Sequence, residues 1–160
     1  MRGDILLVRG NPNSLGDRLI MWRTKGQYCH VEVDIGNGQS IGALTRGVVM
    51  HDIPTGPRVV CVPVGEKLPT GPQLTQALMW AIKRVGDRYG WLDILAQAWT
   101  MVFPYGPYLI DTKTLDCSDL VVSFLWMAEY PLPPDDIDVS LVSPNDIARA
   151  LAPQFPGLLG

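Results

Sequence analysis

Residues Thr112 to Tyr130 read TKTLDCSDLVVSFLWMAEY, and the reading of this stretch decides the fold. From Leu120 to Ala128 almost every position is apolar, and a segment that is apolar all round is a helix enclosed by the rest of its domain. The stretch therefore predicts a central core helix. Asp116 is its N-cap and Asp119 a second acid in the first turn, where carboxylates suit the orphan amides and the positive end of the helix dipole. Cys117 falls in that first turn. Amide dipoles there stabilise a thiolate and favour a nucleophile, whereas an unneutralised Asp116 carboxylate beside it opposes this. On these residues alone the simpler reading is a small apolar side chain opening a buried helix.

A chain of 160 residues, 47% of them hydrophobic, has enough apolar surface for one domain with its own core. No repeat, low-complexity tract or shift of composition divides it, so a single domain over 1–160 is expected. Thirteen Lys and Arg against sixteen Asp and Glu leave a net charge of −3. With no basic cluster to follow a phosphate backbone, nucleic acid is not expected as a partner. Cys29, Cys61 and Cys117 are too few and too widely spaced for a disulfide scaffold or a zinc site, so free thiols in a reducing compartment are expected, with no metal and no cofactor. The opening MRGDILLVRG reads as a strand rather than a signal peptide, which points to the cytoplasm of a host cell or to a virion. The longest apolar region, Trp91 to Ile110, is interrupted by Asp93, Pro104 and Pro107. No stable membrane insertion is expected.

Along the chain, Asp4 to Val8 predicts a first strand. Ser14, Leu19, Ile20 and Trp22 predict a short amphipathic helix ended by Gly26. Tyr28 to Ile35, YCHVEVDI, alternates strictly, with Val31, Val33 and Ile35 on one face and His30, Glu32 and Asp34 on the other. Gly36, Asn37 and Gly38 supply a turn, and Gln39 to Leu44 returns as the partner strand. Val48 to Ile53 and Val59 to Val64 are two further strands around the turn Pro54 to Pro57. From Pro72, the spacing of Leu74, Ala77, Leu78, Ala81, Ile82 and Val85 predicts a helix ending at Gly86. Tyr89 to Thr100 reads as another helix, and Pro131, Pro133 and Pro134 end the Cys117 helix. Ser143 and Pro144 open a last helix, Asn145 to Leu151. Strands first and helices after imply an α+β domain, an antiparallel sheet packed on helices.

A cysteine hydrolase needs an imidazole that takes the thiol proton and a third polar group that orients the imidazole. His30, on the polar face of its strand, is one candidate base; its bland alternative is a half-exposed residue in a salt-linked row with Glu32 and Asp34. His51, beside Asp52 before a proline turn, is the competing base and looks more like a strand-end residue.

DCSDLVVSFL resembles the DCSGLV-type nucleophile motif of the NlpC-type cell-wall peptidases, which have a papain-like fold. In that superfamily the cysteine opens the core helix and the histidine lies on a strand of the sheet. Here both histidines precede the cysteine, which is the order of the circularly permuted branch. GDILLVRG, YCHVEVDIGNGQSIGA followed by RGVVMHDI, GDRYGWLDIL and the ending VSPNDIARAL are similar to stretches of permuted and phage-borne members. The resemblance implies Cys117 as nucleophile and His30 as general base. Many permuted relatives place an acid just before the alanine of the next strand; before Ala43 this chain has Gly42. Glu32 is then the first choice for the third residue and Ser40 the second. Tyr89 matches the Tyr-Gly-Trp segment and is a candidate for lining the cleft.

The activity implied is that of a cysteine peptidase or amidase acting on peptidoglycan stem peptides, with virion proteins as possible partners. In that mechanism the Cys117 amide and its helix-start neighbours stabilise the oxyanion. Two rival readings are a lipid-directed acyltransferase or thioesterase, since lecithin retinol acyltransferase-like proteins share the permuted arrangement, and a catalytically silent virion or binding protein of the same fold.

Overall fold

The structure is a computed structural model and describes residues 1–44, 46–68, 71–88, 116–130, 132 and 142–159. Its strands are β1 (Ile5–Arg9), β2 (Tyr28–Gly36), β3 (Gln39–Leu44), β4 (Gly47–Asp52) and β5 (Val59–Val62). Its helices among the described residues are α1 (Leu15–Thr24), α2 (Pro72–Lys83), α3 (Cys117–Met127) and α4 (Pro144–Leu151), with a short 3₁₀ turn at Val64–Glu66. The strands form one sheet in the order β4-β3-β2-β1-β5, with every pair antiparallel. This is an α+β architecture. The helix expected over Tyr89 to Thr100, and Tyr89 itself, lie outside the described residues.

The β2–β3 hairpin forms where alternation places it. Asn37 and Gly38 take positive φ values of 57° and 76° at its tip, the conformation a tight hairpin turn demands. Val31 and Val33 join Ile5, Leu7 and Ile41 in a core completed by Leu120, Val121, Phe124 and Leu125 of α3. α3 rests on β2 and β3, and α2 packs along it. Fully burying one such aliphatic or aromatic side chain contributes about 1.5–3 kcal/mol.

Three expectations need correction. First, α3 is not enclosed on all sides, because Trp126 and Met127 at its end are exposed. Second, its end is not made by the prolines. Glu129 adopts a left-handed conformation, φ 55°, and the amides of Glu129 and Tyr130 return to the carbonyls of Trp126 and Leu125. That is the Schellman arrangement, which satisfies the last carbonyls before any proline is reached. Third, the face of β2 that carries His30, Glu32 and Asp34 is not a wet face: Glu32 and Asp34 are buried. Asp34 takes no part in a row with Glu32; it accepts from the Gly36 amide at 2.6 Å and from the Met1 ammonium at 3.1 Å.

α4 begins with a capping box between Ser143 and Asp146, and Asn145 follows inside it. The buried Asn145 side chain accepts from the Tyr28 amide at 2.9 Å and donates to the Tyr28 carbonyl at 2.7 Å, standing in for a neighbouring strand. It also donates to Thr24 Oγ1 at 2.6 Å. This clamp explains Gly26, where a Cβ would lie 2.1 Å from Asn145 Oδ1; α1 itself ends at Lys25, which is left-handed at φ 49°. Asn145→Ala strands two buried backbone groups of Tyr28, so a loss of about 2–4 kcal/mol is expected, read as a lower urea midpoint at unchanged slope.

Candidate active site

Cys117 opens α3. Asp116 caps the helix, and its Oδ1 accepts from the amides of Ser118 and Asp119 at 2.7 and 2.8 Å. The Asp116 charge is therefore spread over two amides. Those amides, expected to help stabilise an oxyanion, are committed to Asp116.

His30 lies on β2 beside a bulge, where the pairing with β1 slips by one residue between Val8 and Arg9. Bulges re-aim neighbouring side chains and recur beside active sites. The imidazole Nε2 stands 3.0 Å from Glu32 Oε1, and the Cys117 side chain lies near enough to the ring to help raise its pKa. Glu32 is held in turn by Ser40, whose hydroxyl donates to Oε2 at 2.7 Å. The side chains of Cys117, His30, Glu32 and Ser40 thus form one connected row from α3 across β2 to β3.

Electrostatics follow from this geometry. Burial by itself would lower the affinity of His30 for its proton, but hydrogen bonds to Cys117 and Glu32 and attraction to both charges outweigh it, raising the pKa from 6.5 to about 10. Burial would likewise raise the Glu32 carboxyl, yet hydrogen bonds from His30 and Ser40 and the charges of His30 and His51 hold it below its ordinary value. Glu32 therefore stays a carboxylate and His30 an imidazolium. The other thiols differ. Burial and the Asp17 carboxylate push Cys29 up to about 12, and burial and Asp4 push the exposed Cys61 upward.

The third position has a physical explanation. The register pairing Val33 with Ile41 and Asp34 with Ser40 brings Gly42 opposite Glu32. A Cβ on Gly42 would lie 2.8 Å from Glu32 Cγ and 3.0 Å from Cδ. The space a side chain at position 42 would fill is occupied by the Glu32 carboxylate from the neighbouring strand.

His51 lies near the end of β4, in keeping with its reading as a strand-end residue, and faces Glu32. Its Nε2 is 3.3 Å from Glu32 Oε1 but out of line for a hydrogen bond, so the contact is Coulombic, while Nδ1 donates to the Asp52 carbonyl at 2.8 Å. Hairpin register was the available signal, since Ser40 and His51 are directly opposed on β3 and β4. His51→Gln is expected to slow alkylation of Cys117 only a few-fold, well short of the effect of His30→Ala; an equal effect would place His51 in direct contact with the thiol.

Among the described residues no group of three side chains is arranged to hold a metal, and no helix is long and apolar enough to cross a membrane. Compared with protein-family models, curated proteins and solved structures, the chain matches none.

Proposed function

We propose that this chain is a cysteine hydrolase, a peptidase or amidase of papain-like, permuted NlpC type that cleaves amide bonds in peptidoglycan stem peptides. One observation carries the chemistry: the His30 imidazole is held between the Cys117 thiol and the Glu32 carboxylate at the start of a buried helix. The sequence resemblance carries the substrate class. The filling of the Gly42 position by Glu32 weighs against the catalytically silent alternative, because the third group is supplied from the adjacent strand.

In the mechanism, His30 carries the proton that the Cys117 thiol gives up, and the sulfur attacks the amide carbonyl carbon, forming a C–S bond. The Cys117 backbone amide receives the developing oxyanion. As the C–N bond breaks, His30 returns the proton to the leaving amine, and a thioester remains. Water then attacks the thioester, giving its proton through His30 to the departing sulfur and releasing a carboxylic acid. Glu32 holds the ring in place through both halves and stabilises its charge.

The test is digestion of purified peptidoglycan fragments by the wild-type chain and by Cys117→Ala, followed by mass spectrometry. Amide cleavage that Cys117→Ala abolishes supports the reading. Acyl transfer to or from phospholipid by wild type, without muropeptide cleavage, sinks the substrate class and favours the lipid-directed alternative. No Cys117-dependent product on either substrate class sinks the hydrolase reading.

A further inference from the structure

α1 is built inside out. None of its ten residues is buried, and three of its five large apolar side chains are exposed, Leu15 at 79%, Leu19 at 53% and Trp22 at 73%, while Ile20 and Met21 are half-buried. At about 100° per residue these three share an arc of roughly 60°, with Arg18 and Arg23 about 40° beyond its two edges. Arg18, Arg23 and the following Lys25 are exposed as well. The opposite side of the helix does the holding. Asp17 accepts from the Asn11 amide at 2.7 Å and from Cys29 Sγ at 3.6 Å, Thr24 Oγ1 accepts from Asn145 at 2.6 Å, and Arg149 donates to the Thr24 carbonyl at 2.7 Å. The helix is thus fastened by these polar contacts and by Met21 beside Gly10, while the stripe of Leu15, Leu19 and Trp22 points at solvent.

An ordinary surface helix turns that stripe inward, and an exposed apolar patch rimmed by charge marks an interaction site. We propose that the outer face of α1 docks on an anionic lipid bilayer surface. Charge complementarity selects this occupant: the rim is basic on a chain whose net charge is −3. The shape agrees, because a single convex helix lying flat offers no groove for a partner's side chains but suits a plane. There Trp22 and the leucines enter the headgroup boundary while the arginines meet the lipid phosphates. Through the Asp17–Cys29 contact the helix adjoins the strand carrying His30, so docking brings the Cys117 site to the membrane face. The inference does not depend on the hydrolase reading.

The test is co-flotation of the full-length chain with vesicles of phosphatidylcholine alone and of phosphatidylcholine mixed with phosphatidylglycerol. Two double variants accompany it, Leu19→Ser with Trp22→Ser, and Arg18→Gln with Arg23→Gln. Wild type is expected to bind the anionic vesicles more tightly than the neutral ones, and less so as salt rises. Loss of two arginines is expected to weaken binding roughly thirtyfold, and loss of the two apolar residues at least tenfold. Unchanged urea midpoints and unchanged Cys117 alkylation show that both variants fold. Absence of binding at low salt, or binding that survives Leu19→Ser with Trp22→Ser, overturns the proposal. Self-association that this apolar variant abolishes, without vesicle binding, also overturns it and assigns the face to a second copy of the chain.

Discussion

Iodoacetamide is expected to alkylate Cys117 at pH 6 about a hundredfold faster in the wild-type protein than in His30→Ala. An imidazolium beside a thiol favours the thiolate, the form that reacts, and His30→Ala removes that gain. The lower nucleophilicity of a stabilised thiolate takes back part of that gain. Because His30 keeps its proton to about pH 10, the wild-type rate should stay above that of the variant from about pH 6 to 8. In His30→Ala it should climb steeply with pH over the same interval. Cys29 and Cys61, both pushed upward, serve as slow internal references read by peptide mass spectrometry. Parallel steep profiles in the two proteins would mean that Cys117 is a structural thiol.

The same titration has a stability consequence whose sign is fixed. A group whose pKa rises on folding contributes stability that is whole below its unfolded value and disappears as pH climbs through its folded value. For His30 that window runs from 6.5 to about 10. The difference in urea midpoint between wild type and His30→Gln should narrow across it.

Gly42→Ala should reproduce most of the damage done by Glu32→Ala, although it removes nothing from the site. The added methyl group would sit 2.8 Å from Glu32 Cγ and 3.1 Å from Oε1, so the carboxylate must leave its place beside His30. The expected result is a ten- to hundredfold loss of the Cys117 alkylation advantage, together with a destabilisation of about 1–3 kcal/mol from overpacking. Coupling is the sharper readout. Added to Glu32→Ala, Gly42→Ala should cost little more, because the clash partner is gone. Additive losses from the two substitutions would show that Gly42 matters for some reason other than the space Glu32 needs.

Local chemistry made much of this legible. The strict alternation of YCHVEVDI, the Asn37–Gly38 turn, the caps at Asp116 and Ser143 and the spacing of Leu74 to Ala81 each act over a few residues, and the elements form within a residue or three of where those signals place them. Cys117 at a helix start and His30 on a strand are legible in the same way, since both are statements about position in an element. Alternation also gave the face shared by His30 and Glu32, which is why Glu32 could be named beforehand as a partner of His30.

What neighbours an element is a different kind of fact. Whether the polar face of β2 is wet depends on what covers it, and that cover comes from residues distant in the chain; the buried Glu32 carboxylate and the raised His30 pKa are consequences of it. α1 shows the converse: apolar residues at helical spacing predict an amphipath, but the side it presents to the sheet is fixed by Asp17 and Thr24 meeting Cys29 and Asn145. Likewise the fit of Gly42 under Glu32 and the approach of His51 arise only when β2, β3 and β4 pair in register. The sequence by itself determined the described elements and their caps, with Cys117 at a helix start and His30 on a strand, because hydrogen-bonding and hydrophobic periodicity are local. Only the tertiary structure decided burial, charge state and the supporting contacts, because desolvation and Coulombic attraction depend on distance in space and not along the chain.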